Sequence, residues 1–417
     1  MHLPFASPSK KAHGHSASPE PTNQSGYMNK WNLLRQSMRP PPALPPLPKA
    51  ITDQLSTEIY ELIMDHLDDK PSLLACNLVG RAWAPRSRCL LLERMVCHPA
   101  PLVAHGGFGT ITCAAPDPFH KDGGVIYGAK DGIYRGTKDG SRPRLLSIKD
   151  VSQIEILVNE NLVICLAGGS FMTISLSVLN SGTCQEMHLN RISKHVSCFT
   201  VHRSTAAGES HRICALKSSA LSGTLKVYDV VVNNQVTTLV PASELYIPLE
   251  TFSVRFLSRI RLVAAIKKGF AVQGGFEMVD LVTAETQGLL DPDDPSHVEF
   301  ALKKLRPMAV FRVDTVFLVC YDKLAFYIDR RGNRTRPNLM MRWTQPANAF
   351  ALREPYILAF CNLRVEVWNI ETGTMAQTIQ GPFYLLNAPD SGEKVLGLSL
   401  SSGEVTEIIF HDHALHS

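Results

Sequence analysis

The chain has 417 residues, of which 45% are apolar and 19% charged, with a formal net charge of +4. This is the composition of a folded soluble protein with room for two or three domains. The mild, scattered positive charge excludes a nucleic-acid surface. The ten cysteines form no Cys-x-x-Cys pair and sit in apolar strings such as LVICLAG and FLVCYD. That pattern predicts reduced, buried thiols in a cytoplasmic protein, with the nucleus as a second compartment. No apolar run is long enough to span a bilayer, and the start of the chain lacks the charged–apolar–small layout of a signal peptide.

Residues 1–50 are rich in Ser, Pro and His and show no hydrophobic period, so a disordered tail is expected. The tail ends in RPPPALPPLP, whose rings fix a polyproline II spacer. Within it Arg39, Pro42 and Pro45 have the R-x-x-P-x-x-P spacing of an SH3 ligand, a minor reading beside the spacer.

Residues 51–98 read as three short helices. Leu55 opens the first, and Ile59, Leu62, Ile63 and Leu67 share one stripe. Pro71 suits the first turn of a second helix, in which Leu73, Leu74, Leu78, Val79 and Trp83 form another stripe. PRSRCLLLERMV reads as the third. Three helices in so few residues cannot hide this much apolar surface alone, so the surplus predicts a partner surface or the flank of the next domain.

From about residue 104 the texture changes to short Val/Ile/Leu/Phe/Tyr runs separated by Gly/Asp/Asn turns. Strand–turn endings recur in DGIYRGTKDG, LKVYDVVVNN, FEMVDLVTAET, AFYIDRRGN and VEVWNIETG. The later ones are spaced by roughly one propeller blade, and about 300 residues at that period make about seven blades. A large β-sandwich is the competing architecture.

Two resemblances sharpen this reading. Leu55–Trp83 resembles an F-box, with Leu55-Ser56-Thr57-Glu58-Ile59 and LLACNLVGRAW in the expected order, although Ser56 stands where that family has proline. The resemblance implies docking of a Skp-type adaptor and its cullin complex through Leu55, Ile59, Leu62, Ile63, Leu67, Leu73, Leu74, Leu78, Val79 and Trp83. Residues 151–179, 289–337 and 347–373 resemble the citron homology (CNH) domain in its fungal setting. This implies a seven-bladed propeller that binds proteins, with Rho-type small GTPases or their regulators as the partner class. One departure is AVQGG (271–275), which lengthens a connection between two strands.

Enzyme motifs are weak. AHGGFGT looks like an esterase loop, but no G-x-S-x-G elbow accompanies it. DPDDP (291–295) lacks the spacing of a calcium loop and reads as a solvated turn. FHDHALHS bunches His411, His413 and His416 at a frayed end, with adventitious metal binding as the minor reading. DRRGNRTRP carries Arg330, Arg331, Arg334 and Arg336 on a hairpin that either faces water or meets an acidic partner.

The expected fold is therefore mostly β: a disordered tail (1–50), a three-helix F-box (51–98) and a CNH-like propeller (104–410). The expected function is that of a non-enzymatic ubiquitin-ligase adaptor without cofactor or metal, whose propeller holds a protein substrate. The alternative is a Rho-type GTPase signalling or membrane-trafficking scaffold without a ubiquitin role.

Overall fold

Alternating runs such as VSQIEIL and SFMTIS, and continuous apolar runs such as LVICLA, pair into antiparallel sheets buried on both faces. The computed structural model describes residues 96–411 with short gaps, among them 104–110, 268–274 and 298–304, and isolated positions between Ile59 and Cys76. Two compact units divide the chain, Met1–Arg88 and Cys89–Ser417. In the first unit Ile59, Leu62, Ile63, Met64, Ser72, Ala75 and Cys76 are helical, with Met64 and Cys76 buried. The three-helix arrangement and the tail expected there lie largely outside the described residues.

The second unit is seven four-stranded antiparallel sheets. Strand β1 (Cys97–Val103) precedes them all. Blade 1 holds β2 (Ile111–Pro116), β3 (Val125–Ala129), β4 (Ile133–Gly136) and β5 (Arg144–Leu146). Blade 2 holds β6 (Val151–Leu157), β7 (Leu162–Ala167), β8 (Ser170–Ser175) and β9 (Asn190–Lys194). Blade 3 holds β10 (Val196–His202), β11 (Arg212–Ser218), β12 (Gly223–Asn233) and β13 (Val236–Ile247). Blade 4 holds β14 (Thr251–Ser258), β15 (Arg261–Ile266), β16 (Phe276–Asp280) and β17 (Thr286–Gly288). Blade 5 holds β18 (Pro307–Val313), β19 (Val316–Tyr321), β20 (Leu324–Ile328) and β21 (Arg334–Arg342). Blade 6 holds β22 (Ala347–Arg353), β23 (Tyr356–Cys361), β24 (Arg364–Asn369) and β25 (Met375–Gln380). Blade 7 holds β26 (Phe383–Leu385), β27 (Val395–Ser399) and β28 (Val405–Phe410).

Blade 7 takes its fourth strand from the other end of the chain. β1 pairs with β28, Cys97 opposite Phe410 and Ala100 opposite Glu407. The ring is closed in this way, and the strand lies ahead of the boundary that the sequence suggests for the propeller. Pro99 and Pro101 are tolerated because β1 is an outermost strand, where a missing N–H can face away from the ladder.

Packing runs between blades. Seven buried apolar clusters each join two neighbouring sheets; Phe171, Phe199 and Tyr228 join blades 2 and 3, and Tyr321, Phe326 and Phe276 join blades 4 and 5. A single blade therefore leaves both faces bare, and the closed ring is the stable unit. None of the nine described cysteines is in a disulfide, and all but Cys198 are buried. Burial pushes the Cys113 and Cys165 thiols up to about 12, which suits packing and not nucleophilic chemistry.

Candidate functional site

The first strands of blades 2 to 6 face a central cavity of about 340 Å³. Gln153 on β6 and Phe199 on β10 fix its wall: the Gln153 amide donates to the Phe199 carbonyl at 2.7 Å, and its oxygen accepts the Phe199 N–H at 3.1 Å. Arg203 donates to Glu155 at 2.7 Å and approaches Glu393 at 3.3 Å, so blades 2, 3 and 7 are tied by charge at the mouth. Arg255 lies over the Phe311 ring at 4.6 Å and donates to the Pro389 carbonyl at 3.1 Å. The cations near the axis are thus held by ring faces, carboxylates and carbonyls.

The arginine hairpin is the site predicted from sequence that the structure describes in full. It is the turn between β20 and β21. Asp329 caps it, accepting the N–H of Arg331 at 2.8 Å and of Asn333 at 2.9 Å. Gly332 has φ +90°, and a Cβ there would stand 2.5 Å from both the Asp291 nitrogen and the Leu289 oxygen. Only glycine fits that contact.

The neighbour that presses on Gly332 is the DPDDP stretch: it is a turn with Pro292, Asp293 and Pro295 exposed, as expected, while Asp291 and Asp294 are partly buried against the hairpin. The Asp291 N–H donates to the Gly332 carbonyl at 3.1 Å. Buried His297 donates from Nε2 to the same carbonyl at 2.8 Å. Asp294 accepts the Arg334 N–H at 2.8 Å. Burial alone would raise the Asp294 carboxyl, but the backbone N–H groups of Arg334 and Ser296, with His297 beside them, outweigh it and hold Asp294 down at about 2. No sequence signal announced this contact, because its partners are about forty residues apart and belong to different blades.

The four arginines do not act as one cluster. Arg334 donates to the Pro337 carbonyl at 2.8 Å, and Arg336 lies over the Tyr327 ring at 4.6 Å. Arg330 and Arg331 are exposed and line a cavity of about 630 Å³ with Asp291, Gln287, Phe317 and Met278. These two are free to meet a carboxylate-bearing surface. Of the residues expected to dock an adaptor, Ile59, Leu62 and Ile63 are exposed and Leu67 is half-buried. Leu55, Leu73, Leu74, Leu78, Val79 and Trp83 lie outside the described residues, as do Arg39, Pro42 and Pro45 of the proline segment.

Seven four-stranded blades closed by a strand from the other end define a β-propeller. The chain belongs to the CNH-domain family, whose model matches residues 122–386. It is 33% identical over 294 residues to Rho1 guanine nucleotide exchange factor 1 of Schizosaccharomyces pombe, covering 64% of this chain and 21% of that protein. It is 30% identical over 279 residues to Rho1 guanine nucleotide exchange factor 2 of the same organism, covering 62% of this chain and 23% of the relative. RHO1 GDP-GTP exchange protein 2 of Saccharomyces cerevisiae is 28% identical over 272 residues, covering 60% and 19%. The solved AfRom2 CNH domain superposes with a TM-score of 0.62 at 29% identity, covering 76% of this chain and 99% of that one. The chain spans about a fifth of the length of these curated relatives.

These relatives correct two expectations. The ubiquitin-ligase adaptor reading, with its Skp-type and cullin partners, is set aside: the relatives are Rho1 exchange factors, which point to GTPase signalling. The non-enzymatic reading is withdrawn as well, since those proteins are named for an exchange activity. The match covers the propeller alone, so that activity stays with them.

Proposed function

We propose that this chain serves Rho-type small-GTPase signalling, its propeller binding the GTPase or a regulator of it. The observation that carries the reading is the similarity to three Rho1 exchange factors along the propeller. The exposed pair Arg330 and Arg331 is the proposed contact, since guanidinium groups pair bidentately with carboxylates on an acidic surface. The exposed helical residues Ile59, Leu62 and Ile63 are a second proposed contact. Nine described cysteines, none of them in a disulfide, support a reducing, cytoplasmic setting.

The test is binding of the full chain to a panel of Rho-type GTPases, nucleotide-free and loaded with GDP or a GTP analogue, at low and high salt. Binding by the wild type supports the reading; no binding to any of them overturns it. Replacing Arg330 and Arg331 with Glu should slow association about tenfold at low salt and less at high salt, because rim charges act on encounter. An unchanged rate at both salts rejects this contact while leaving the partner class intact. Nucleotide release followed in the same samples reports whether binding is accompanied by exchange.

A further inference from the structure

The seam that closes the ring carries a pair of histidines from opposite ends of the domain. His98 sits on β1, opposite Ile409 of β28, and His411 directly follows β28. Their rings stack with centroids 5.0 Å apart, and His98 Nδ1 lies 3.0 Å from His411 Nε2. The His411 N–H donates to the Val96 carbonyl at 3.0 Å, so the backbone holds both rings in place. Both residues are half-buried. The charged group nearest in register on β28 is Glu407, which is held by Lys394 at 2.8 Å.

We propose that His98 and His411 form a two-imidazole site for a divalent transition-metal cation of the kind that prefers nitrogen ligands, and that the bound ion locks the propeller shut. Zn²⁺, Ni²⁺ and Cu²⁺ are the class that imidazole suits. With metal–nitrogen bonds of about 2.0–2.1 Å, two nitrogens in a tetrahedral set stand about 3.3 Å apart. The observed 3.0 Å is a few tenths short of that, a difference that small rotations of the rings supply. Among the described residues no group of three or more His, Cys, Asp or Glu could hold a metal. The proposed site is completed by water, which gives it a modest affinity. The site is independent of the GTPase reading.

Binding to the folded seam and not to the open chain raises stability with metal concentration. Thermal melting of the full chain in rising Ni²⁺ or Zn²⁺, with chelator as the reversal, should show Tm climbing by more than about 2 °C at a hundredfold excess over Kd. His98→Ala and His411→Asn should each abolish the rise, and their melts without metal report whether they fold. A chain ending at His411 lacks His413 and His416 and should keep the rise. An unchanged Tm in the wild type overturns the proposal. So does a rise that survives both single substitutions, or one that vanishes only when His413 and His416 are removed.

Discussion

Gln377 grips Cys97 from both sides of its peptide. The Gln377 oxygen accepts the Cys97 N–H at 3.2 Å and the Val96 N–H at 2.8 Å, while its amide nitrogen donates to the Cys97 carbonyl at 2.7 Å. Gln377 belongs to β25 of blade 6 and Cys97 opens the closing strand of blade 7, so one buried side chain sets where β1 enters the ring. Gln377→Leu keeps the volume and loses all three bonds. It should cost about 2–4 kcal/mol in urea unfolding, since buried backbone groups lose their partners. A cost below about 0.5 kcal/mol would show that the strand pairing alone places β1.

Glu366 on β24 is fully buried, and its carboxylate collects the Thr344 N–H at 3.2 Å, the Thr344 hydroxyl, Arg364 at 3.2 Å and the Trp368 indole N–H at 3.2 Å. Glu366→Ala strands these donors and should lower stability by about 3–5 kcal/mol. Glu366→Gln, which keeps an acceptor, should lose less. Equal losses in the two variants would mean that shape, not the carboxylate, matters there.

Gly332→Ala forces a side chain into a left-handed turn pressed against backbone. A loss of at least about 2 kcal/mol is expected, combining strain with the contact. The same variant should weaken partner binding to the extent that Arg330 and Arg331 lose their placement. Normal stability would show that 291–297 can move away from the hairpin.

Asp294 gives a pH signature. It is held at about 2, below the ordinary carboxyl value of 3.8. Between those values the unfolded chain binds more protons than the folded one, so stability rises with pH through that window. The stabilisation is complete above about pH 4 and is lost as pH falls toward about 2. Asp294→Asn should flatten this part of the stability–pH curve and cost about 1–2 kcal/mol at neutral pH. A curve of unchanged slope would assign the acid transition to other carboxylates.

The blades were legible because their strands are apolar on a simple period and end in polar turns. VEVWNIETG is such an ending: β24 runs Arg364–Asn369, and Asn369 caps its turn by accepting the N–H groups of Glu371 and Thr372. Strand β1 was not legible. CHPAPLV has two prolines and follows a helical pattern, so local chemistry reads it as a linker; only pairing with a strand some three hundred residues away makes it a strand. The partners of the arginine hairpin, Asp291, Asp294 and His297, were hidden for the same reason, since DPDDP carries nothing that names Gly332. The AVQGG stretch lies outside the described residues except for Gly275, whose φ of +71° marks the approach to β16.

The closing seam also has a consequence in time. The residues of β1 leave the ribosome first among the strands of the propeller, yet their partner β28 is among the last, 313 positions later for Cys97 and Phe410. At the usual pace of synthesis that interval is roughly 15–60 s. Throughout it β1 has no ladder to join, and the inner blades must stack on one another while the ring stands open. The nascent chain thus carries an unmated strand at one end and an unmated blade edge at the other, so neighbouring chains on one message can mistake each other's ends for their own.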